Sequence, residues 1–379
     1  MAQKIKGIEI NGVLYEFDTG LPSISEQEGG VLDESFEFAS DDGTETYVKV
    51  TTKGLYAKQL YVGTGTSAKT VQQLINAAVA SSGGGGGGST AEPNTIKILQ
   101  IGSSLNRCSA AMFPFLASKN GWNVTFASLF VGSMTLQQVA DGFSNGRLFT
   151  DIKVYKNDEV SNVRLTLPEV IAMESWDYII LGRGATEDTT FTDTQEQSLQ
   201  TAIDGIRDNS VNAPNILFMT GIPSGRSAMS SMEEEWKTQV DTAKVVQAKF
   251  GLSLLPVGTA VTNARRTSLA KLGVFNHDTT SGMRIDSDHL DWGIGYYLCA
   301  ATLYEYLMQF RGKSVVACKG YASFEEQSQI KIGSASFSDE ECYTEPTAET
   351  MNIAKVCAML AVKNPYELSS EVGVRFPIV

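Results

Sequence analysis

The stretch Ile98-Leu99-Gln100-Ile101-Gly102-Ser103-Ser104-Leu105 reads as a buried strand that breaks at a glycine followed by two hydroxyls. Its apolar residues run without alternation directly after a turn-rich segment, the pattern of a strand covered on both faces. A helix-like segment over 110–118 comes next. A strand that ends in Gly-x-Ser and opens onto a helix puts a serine hydroxyl where backbone N–H groups converge, and a nucleophile gains most from positive potential there. Either serine also suits a helix N-cap, so this stretch alone leaves a capping role open beside a catalytic one.

Working outward, strand patterns at 97–101, 124–130, 178–181, 216–219 and 254–257 alternate with helical patterns at 110–119, 193–208, 232–250 and 259–272. Continuous apolar strands between amphipathic helices imply a parallel sheet covered on both faces. Right-handed crossovers then give a three-layer α/β/α sandwich, flavodoxin-like in its layering, over 96–379. Functional groups collect at the carboxyl ends of such strands. Gly102-Ser103-Ser104, Val131-Gly132-Ser133, Gly182-Arg183-Gly184-Ala185-Thr186 and Thr220 all stand at such ends. The alternating segment 148–168 predicts an added edge hairpin.

Residues 1–80 have a different character. Ile8 to Tyr15 alternates about Asn11-Gly12, the dipeptide that best supplies the positive φ angles of a tight hairpin, and further short alternating segments predict a small β-rich module. Val71, Leu74, Ile75, Ala78 and Val79 share one helical face, which could pack against copies of itself or dock on the module. Residues 81–95, with glycines from Gly83 to Gly88, form a flexible tether. The segment GLYAKQLYVGTG at 54–65 resembles β regions of bacteriophage tail and fibre proteins. That resemblance implies an attachment or oligomerisation module, a trimer among the options, on a virion appendage or a bacterial surface.

Composition narrows the partners. A formal net charge of -13 argues against nucleic acid held on a broad basic surface. Neither an apolar run long enough to span a bilayer nor a signal-peptide core is present, so membrane insertion is not expected. The cysteines, Cys108, Cys299, Cys318, Cys342 and Cys357, include no CxxC pair, which indicates buried thiols rather than a disulfide framework or a metal knuckle. Arg265-Arg266 reads as a solvated helix face, and Trp292, Tyr296 and Tyr297 as core. Imidazole chemistry has two candidates, His277 and His289.

His289 stands in Arg284-Ile285-Asp286-Ser287-Asp288-His289, just before an apolar helix expected from Trp292 to Phe310. A carboxylate three residues earlier can reach Nδ1 while Nε2 points outward, which is the orienting pair a serine nucleophile needs. Asp288 is too near along the backbone to curl back, which favours Asp286. The order Gly102-Ser103-Ser104-Leu105, Gly132, Gly184-Ala185-Thr186 and Asp286-Ser287-Asp288-His289 resembles the block order of the SGNH, or GDSL-like, hydrolase superfamily over 96–311. The resemblance implies Ser104 as nucleophile, His289 as base, Asp286 as its orienting acid, and an oxyanion hole from the Ser104 and Gly132 N–H groups with Thr186. Arg183, Gly184 and Thr220 would border the substrate. The chain departs from the family at Ser103, where Asp or Asn is common, and at Thr186, where the family has an oxyanion Asn. Loss of one such donor costs about 10²–10³ in rate, so either Thr186 or Arg183 substitutes, or turnover is weak. The implied activity is ester hydrolysis without metal or organic cofactor, on a carbohydrate ester such as a polysaccharide O-acetyl group. The alternative is a glycan-binding head that has lost turnover.

Overall fold

The computed structural model describes residues 94–182, 191–223, 229–272, 283, 289–309, 313–330 and 343–376, and before them the backbone of short strands between 7 and 70. The chain divides into two compact units, 1–91 and 92–379. In the first, β1 (Gly7–Ile10) and β2 (Val13–Glu16) pair antiparallel with Ile10 opposite Val13, which makes Asn11-Gly12 the two-residue loop. β3 (Ser35–Ala39), β4 (Thr46–Thr51) and β5 (Gly54–Ala57) form a three-stranded antiparallel sheet, and β6 (Tyr61–Val62) pairs with β7 (Lys69–Thr70). The helical face expected over 71–79 and the glycine run lie outside the described residues.

The second unit is a three-layer α/β/α sandwich. Its seven-stranded sheet comprises β8 (Thr95–Gly102), β9 (Asn123–Phe130), β10 (Leu148–Lys156), β11 (Glu159–Thr166), β12 (Tyr178–Gly182), β13 (Asn215–Met219) and β14 (Ser253–Leu255). The spatial order is β11-β10-β9-β8-β12-β13-β14. Strands β9, β8, β12, β13 and β14 are parallel, while β10 and β11 form the expected antiparallel edge hairpin, so the sheet is mostly rather than wholly parallel. Asn157 and Asp158, with φ of 53° and 61°, close that hairpin, as a two-residue turn with both φ angles positive requires.

The α-helices among the described residues are α1 (Arg107–Lys119), α2 (Leu136–Gly142), α3 (Leu167–Ala172), α4 (Asp193–Asn209), α5 (Met229–Phe250), α6 (Val257–Ala264), α7 (Ile294–Met308), α8 (Phe324–Gln329), α9 (Ala348–Lys363) and α10 (Ser370–Arg375). Successive strand residues point to opposite faces. Ile98, Phe126, Ile180 and Leu217 accordingly meet α1, α6, α7 and α9, whereas Leu99, Ala127, Ile179 and Phe218 meet the core of α2, α3 and α4. Both faces are covered, which is why apolar residues stand on both faces of these strands. The buried helix α7 is apolar almost all round.

Some boundaries differ from expectation. β14 stops at Leu255 because Pro256 has no N–H to donate, and Val257 already begins α6. The helix expected to reach 272 ends at Ala264, followed by a short 3-10 turn at Ser268–Lys271 that Thr267 caps through its side chain. Arg265 is 1% exposed rather than solvated, with Nη1 2.7 Å from Met232 Sδ. Every residue of α6 is buried, so its last turn carries the arginine inward. Arg266 stays at the surface, paired with Glu233 at 3.1 Å. Cys108, Cys299, Cys318 and Cys357 are buried free thiols, and Cys342 lies outside the described residues. Among the described residues no helix is long and apolar enough to cross a membrane.

The sheet order fixes where a ligand would bind. β8 has β9 on one side and β12 on the other, so the direction of winding reverses there. The crevice beyond the carboxyl ends at such a reversal is the usual ligand site of open α/β sheets. Ser103 and Ser104 follow directly on the last residue of β8.

Candidate active site

The turn that carries Ser104 is built from the floor up. Helix α1 starts at Arg107 with Asn106 as its N-cap residue, and no side chain caps it, so neither serine serves the capping role. Asn106 is 4% exposed. Its Oδ1 accepts the Ser103 N–H at 3.0 Å, and its Nδ2 donates to Met219 Sδ at 3.5 Å. A Cβ added at Gly102 or Gly182 would overlap this carboxamide. Two adjacent strands therefore end in glycine because one short amide fills the space above both. Ser103 is buried beneath the turn, and Ser104 is half-exposed above it.

Ser104 Oγ lies 2.8 Å from His289 Nε2, across 185 residues of sequence. His289 is half-buried at the start of a short segment leading into α7. Asp291, two residues on, is fully buried; its Oδ1 accepts Gly293 N–H at 2.8 Å and its Oδ2 accepts Thr344 N–H at 2.9 Å. Burial pushes the Asp291 carboxyl up to about 6, against the opposing pull of hydrogen bonds from Thr344, Gly293 and Gly295. The Asp291 N–H in turn donates to the Met283 carbonyl at 2.7 Å, and Met283 N–H donates to the Leu272 carbonyl. Met283 is buried with φ of 62°, in the left-handed region that a methionine rarely adopts.

On the other flank, the Gly102 carbonyl accepts Val131 N–H at 3.2 Å, which ties the end of β9 beside the Ser104 turn. Val131 to Met134 then form a turn closed by Met134 N–H to the Val131 carbonyl at 3.1 Å. Gly132 and Ser133 are exposed at its tip, and Ser133 has φ of 54°. A positive φ at the third residue is the type II form, usually filled by Gly or Asn.

The remaining expected residues divide into two groups. Asp286, Arg183, Gly184, Thr186 and His277 lie outside the described residues. Thr220, expected to border the substrate, is 2% exposed; its hydroxyl accepts Gly258 N–H at 2.8 Å and donates to the Leu255 carbonyl at 3.3 Å, bonds that tie β13 to the start of α6. Trp292 is 4% exposed and packs as core. Sequence reading missed Asn106 and Asp291, whose side chains bond the backbone on either side of the contact. Asn106 carried a local signal, since a side-chain amide four residues beyond a strand-ending glycine suits a turn. Among the described residues no three His, Cys, Asp or Glu side chains gather as a metal site.

The assembled groups are a half-exposed hydroxyl, an imidazole nitrogen in hydrogen-bond contact with it, and an exposed turn at the neighbouring strand end. Such a hydroxyl can be deprotonated as it attacks an electrophile. No family profile matches the chain, and no curated protein does. Among solved structures, the periplasmic domain of a lipopolysaccharide acetyltransferase from Salmonella ser. Paratyphi A is 12% identical with a TM-score of 0.32, over 59% of this chain and 91% of that one. A DUF4886 family protein from Bacteroides uniformis ATCC 8492 is 19% identical with a TM-score of 0.57, over 73% of this chain and 97% of that one, and this likeness is one of fold.

Proposed function

We propose that the protein is a serine esterase of the SGNH type that removes O-acetyl groups from a carbohydrate polymer, held near its substrate by residues 1–80. The observation that carries the reading is the 2.8 Å contact between Ser104 Oγ and His289 Nε2 at the strand reversal. His289 takes the Ser104 proton as Oγ attacks the ester carbonyl, and the oxyanion is held by the Ser104 and Gly132 N–H groups with Thr186 or Arg183. The sugar hydroxyl leaves with the proton from His289. Water then attacks the acyl-enzyme with the same imidazole as base and releases acetate. Asp286 orients the imidazole, and Gly184 borders the acyl group. The scheme draws on no metal or organic cofactor, and the assembly proposed for residues 1–80 is a trimer on a virion appendage or bacterial surface.

The first test is hydrolysis of p-nitrophenyl acetate. Ser104→Ala is expected to lose at least about 10³ in kcat, in line with loss of a triad nucleophile; a rate equal to wild type removes Ser104 from the chemistry. Acetylated polysaccharide tests the substrate: acetate release supports the esterase, and retention without release makes the protein a binding head. Light scattering of the full chain should give three times the monomer mass, and a monomer mass overturns the assembly proposal.

A further inference from the structure

Arg107 is a buried cation in the first turn of a helix. It is the first residue of α1 and 8% exposed. A positive charge in the first turn opposes the helix dipole, and removing a guanidinium from water is costly in itself. An apolar side chain of similar volume would serve packing alone at least as well.

Its contacts among the described residues join its own segment to two others. Nε and Nη2 both donate to the Tyr296 hydroxyl, at 3.2 and 3.1 Å. The guanidinium carbon lies 5.2 Å from the centre of the Trp292 ring and 5.8 Å from that of Phe130. Arg107 itself follows Ser104 by three residues, Trp292 follows His289 by three, and Phe130 precedes Gly132 by two. One planar cation therefore joins the segments that carry Ser104, Gly132 and His289. Trp292 and Tyr296 stack with ring centres 6.3 Å apart and planes 24° off parallel, which gives the guanidinium a firm platform on the His289 side. Burial pushes the Tyr296 hydroxyl up to about 12, so it is a neutral phenol that accepts the two N–H groups.

We propose that Arg107 is a positioning residue that holds the Ser104, Gly132 and His289 segments in register, an inference that rests on the esterase reading. A lysine could supply the charge, but neither the planar face between two rings nor two parallel N–H groups for one oxygen. A displacement of about 1 Å between reacting groups costs on the order of 10²-fold in rate. The inference thus predicts a loss in turnover rather than in substrate affinity.

The experiment uses the full chain with Arg107→Lys, Arg107→Met and Tyr296→Phe. It measures p-nitrophenyl acetate kinetics, the rate of Ser104 labelling by a fluorophosphonate probe, the melting temperature, and the crystal structure of Arg107→Lys. Arg107→Met is expected to lose about 10² in kcat and in labelling rate with KM within about threefold, and Arg107→Lys about 10-fold. Tyr296→Phe should lose less, because its ring remains stacked. In Arg107→Lys the Ser104 Oγ to His289 Nε2 separation should open beyond about 3.5 Å, past hydrogen-bond range. Folded variants with wild-type kcat and labelling rate overturn the proposal, and so does an unchanged separation. Should Arg107→Met fail to fold, the other two variants decide by the same measures. A wild-type protein that neither turns over nor labels defeats the esterase reading instead, and the crystallographic separation then still decides the role of Arg107.

Discussion

The two sides of the Ser104–His289 contact are built in opposite ways. The serine side follows from sheet geometry: β8 ends in Gly102, β12 in Gly182, and Asn106 closes the floor with ordinary hydrogen bonds. The histidine side is held by features that each oppose folding, namely Met283 in a left-handed conformation and the buried carboxylate of Asp291. Strained backbone of this kind costs about 1–3 kcal/mol per residue. Ser104 is thus set by volume and His289 by strain and charge, so the two sides should fail under different perturbations.

The largest effect is expected on the serine side. Gly182→Ala drives a Cβ into the Asn106 carboxamide and frees it from Ser103 N–H. Overpacking together with an orphaned buried donor should cost about 4 kcal/mol, read by urea unfolding. Adding Asn106→Ala removes the obstruction, so the penalty for Gly182→Ala measured in that background should fall below about 1 kcal/mol. Additive penalties would show that the wedge is not what the glycine accommodates.

The histidine side should respond to pH instead. Unfolded, the Asp291 carboxyl titrates at about 4, whereas in the folded chain burial raises it to about 6. Between those values the folded protein binds the extra proton, so the contribution of this group to stability is greatest at low pH and declines as pH rises. About two units correspond to roughly 3 kcal/mol lost between pH 4 and 7. Subtracting the unfolding curve of Asp291→Asn should isolate that slope, and a flat difference across the window would mean the carboxyl is not raised.

A smaller effect tests whether strain extends to the third flank. Ser133 sits at φ of 54°, and Ser133→Gly should stabilise the protein by about 1 kcal/mol through relief of the left-handed conformation. Unchanged or lower stability in calorimetry would mean that the hydroxyl makes up for the strain.

The sequence made the same division visible. Strands at 97–101 and 178–181, the edge hairpin within 148–168 and the rim position of Ser104 were all legible, because period and turn chemistry are local. Thr220 was misread, because strand-end position suggested exposure while β14 and α6 closed over its hydroxyl. Arg265 was misread for the converse reason: charge suggests solvent, but the burial of α6 is a tertiary property. Arg107 escaped notice altogether, since its partners Phe130 and Tyr296 are distant in sequence and no local pattern joins them.

The two outer strands of the second unit bear on how the protein behaves when many copies are crowded together. β14 is only three residues long, and β11 exposes Glu159, Ser161, Asn162 and Arg164 along its length. A brief margin on one side and a charged one on the other give neighbouring molecules little to zip onto, and strand-to-strand fibre growth is discouraged at both borders.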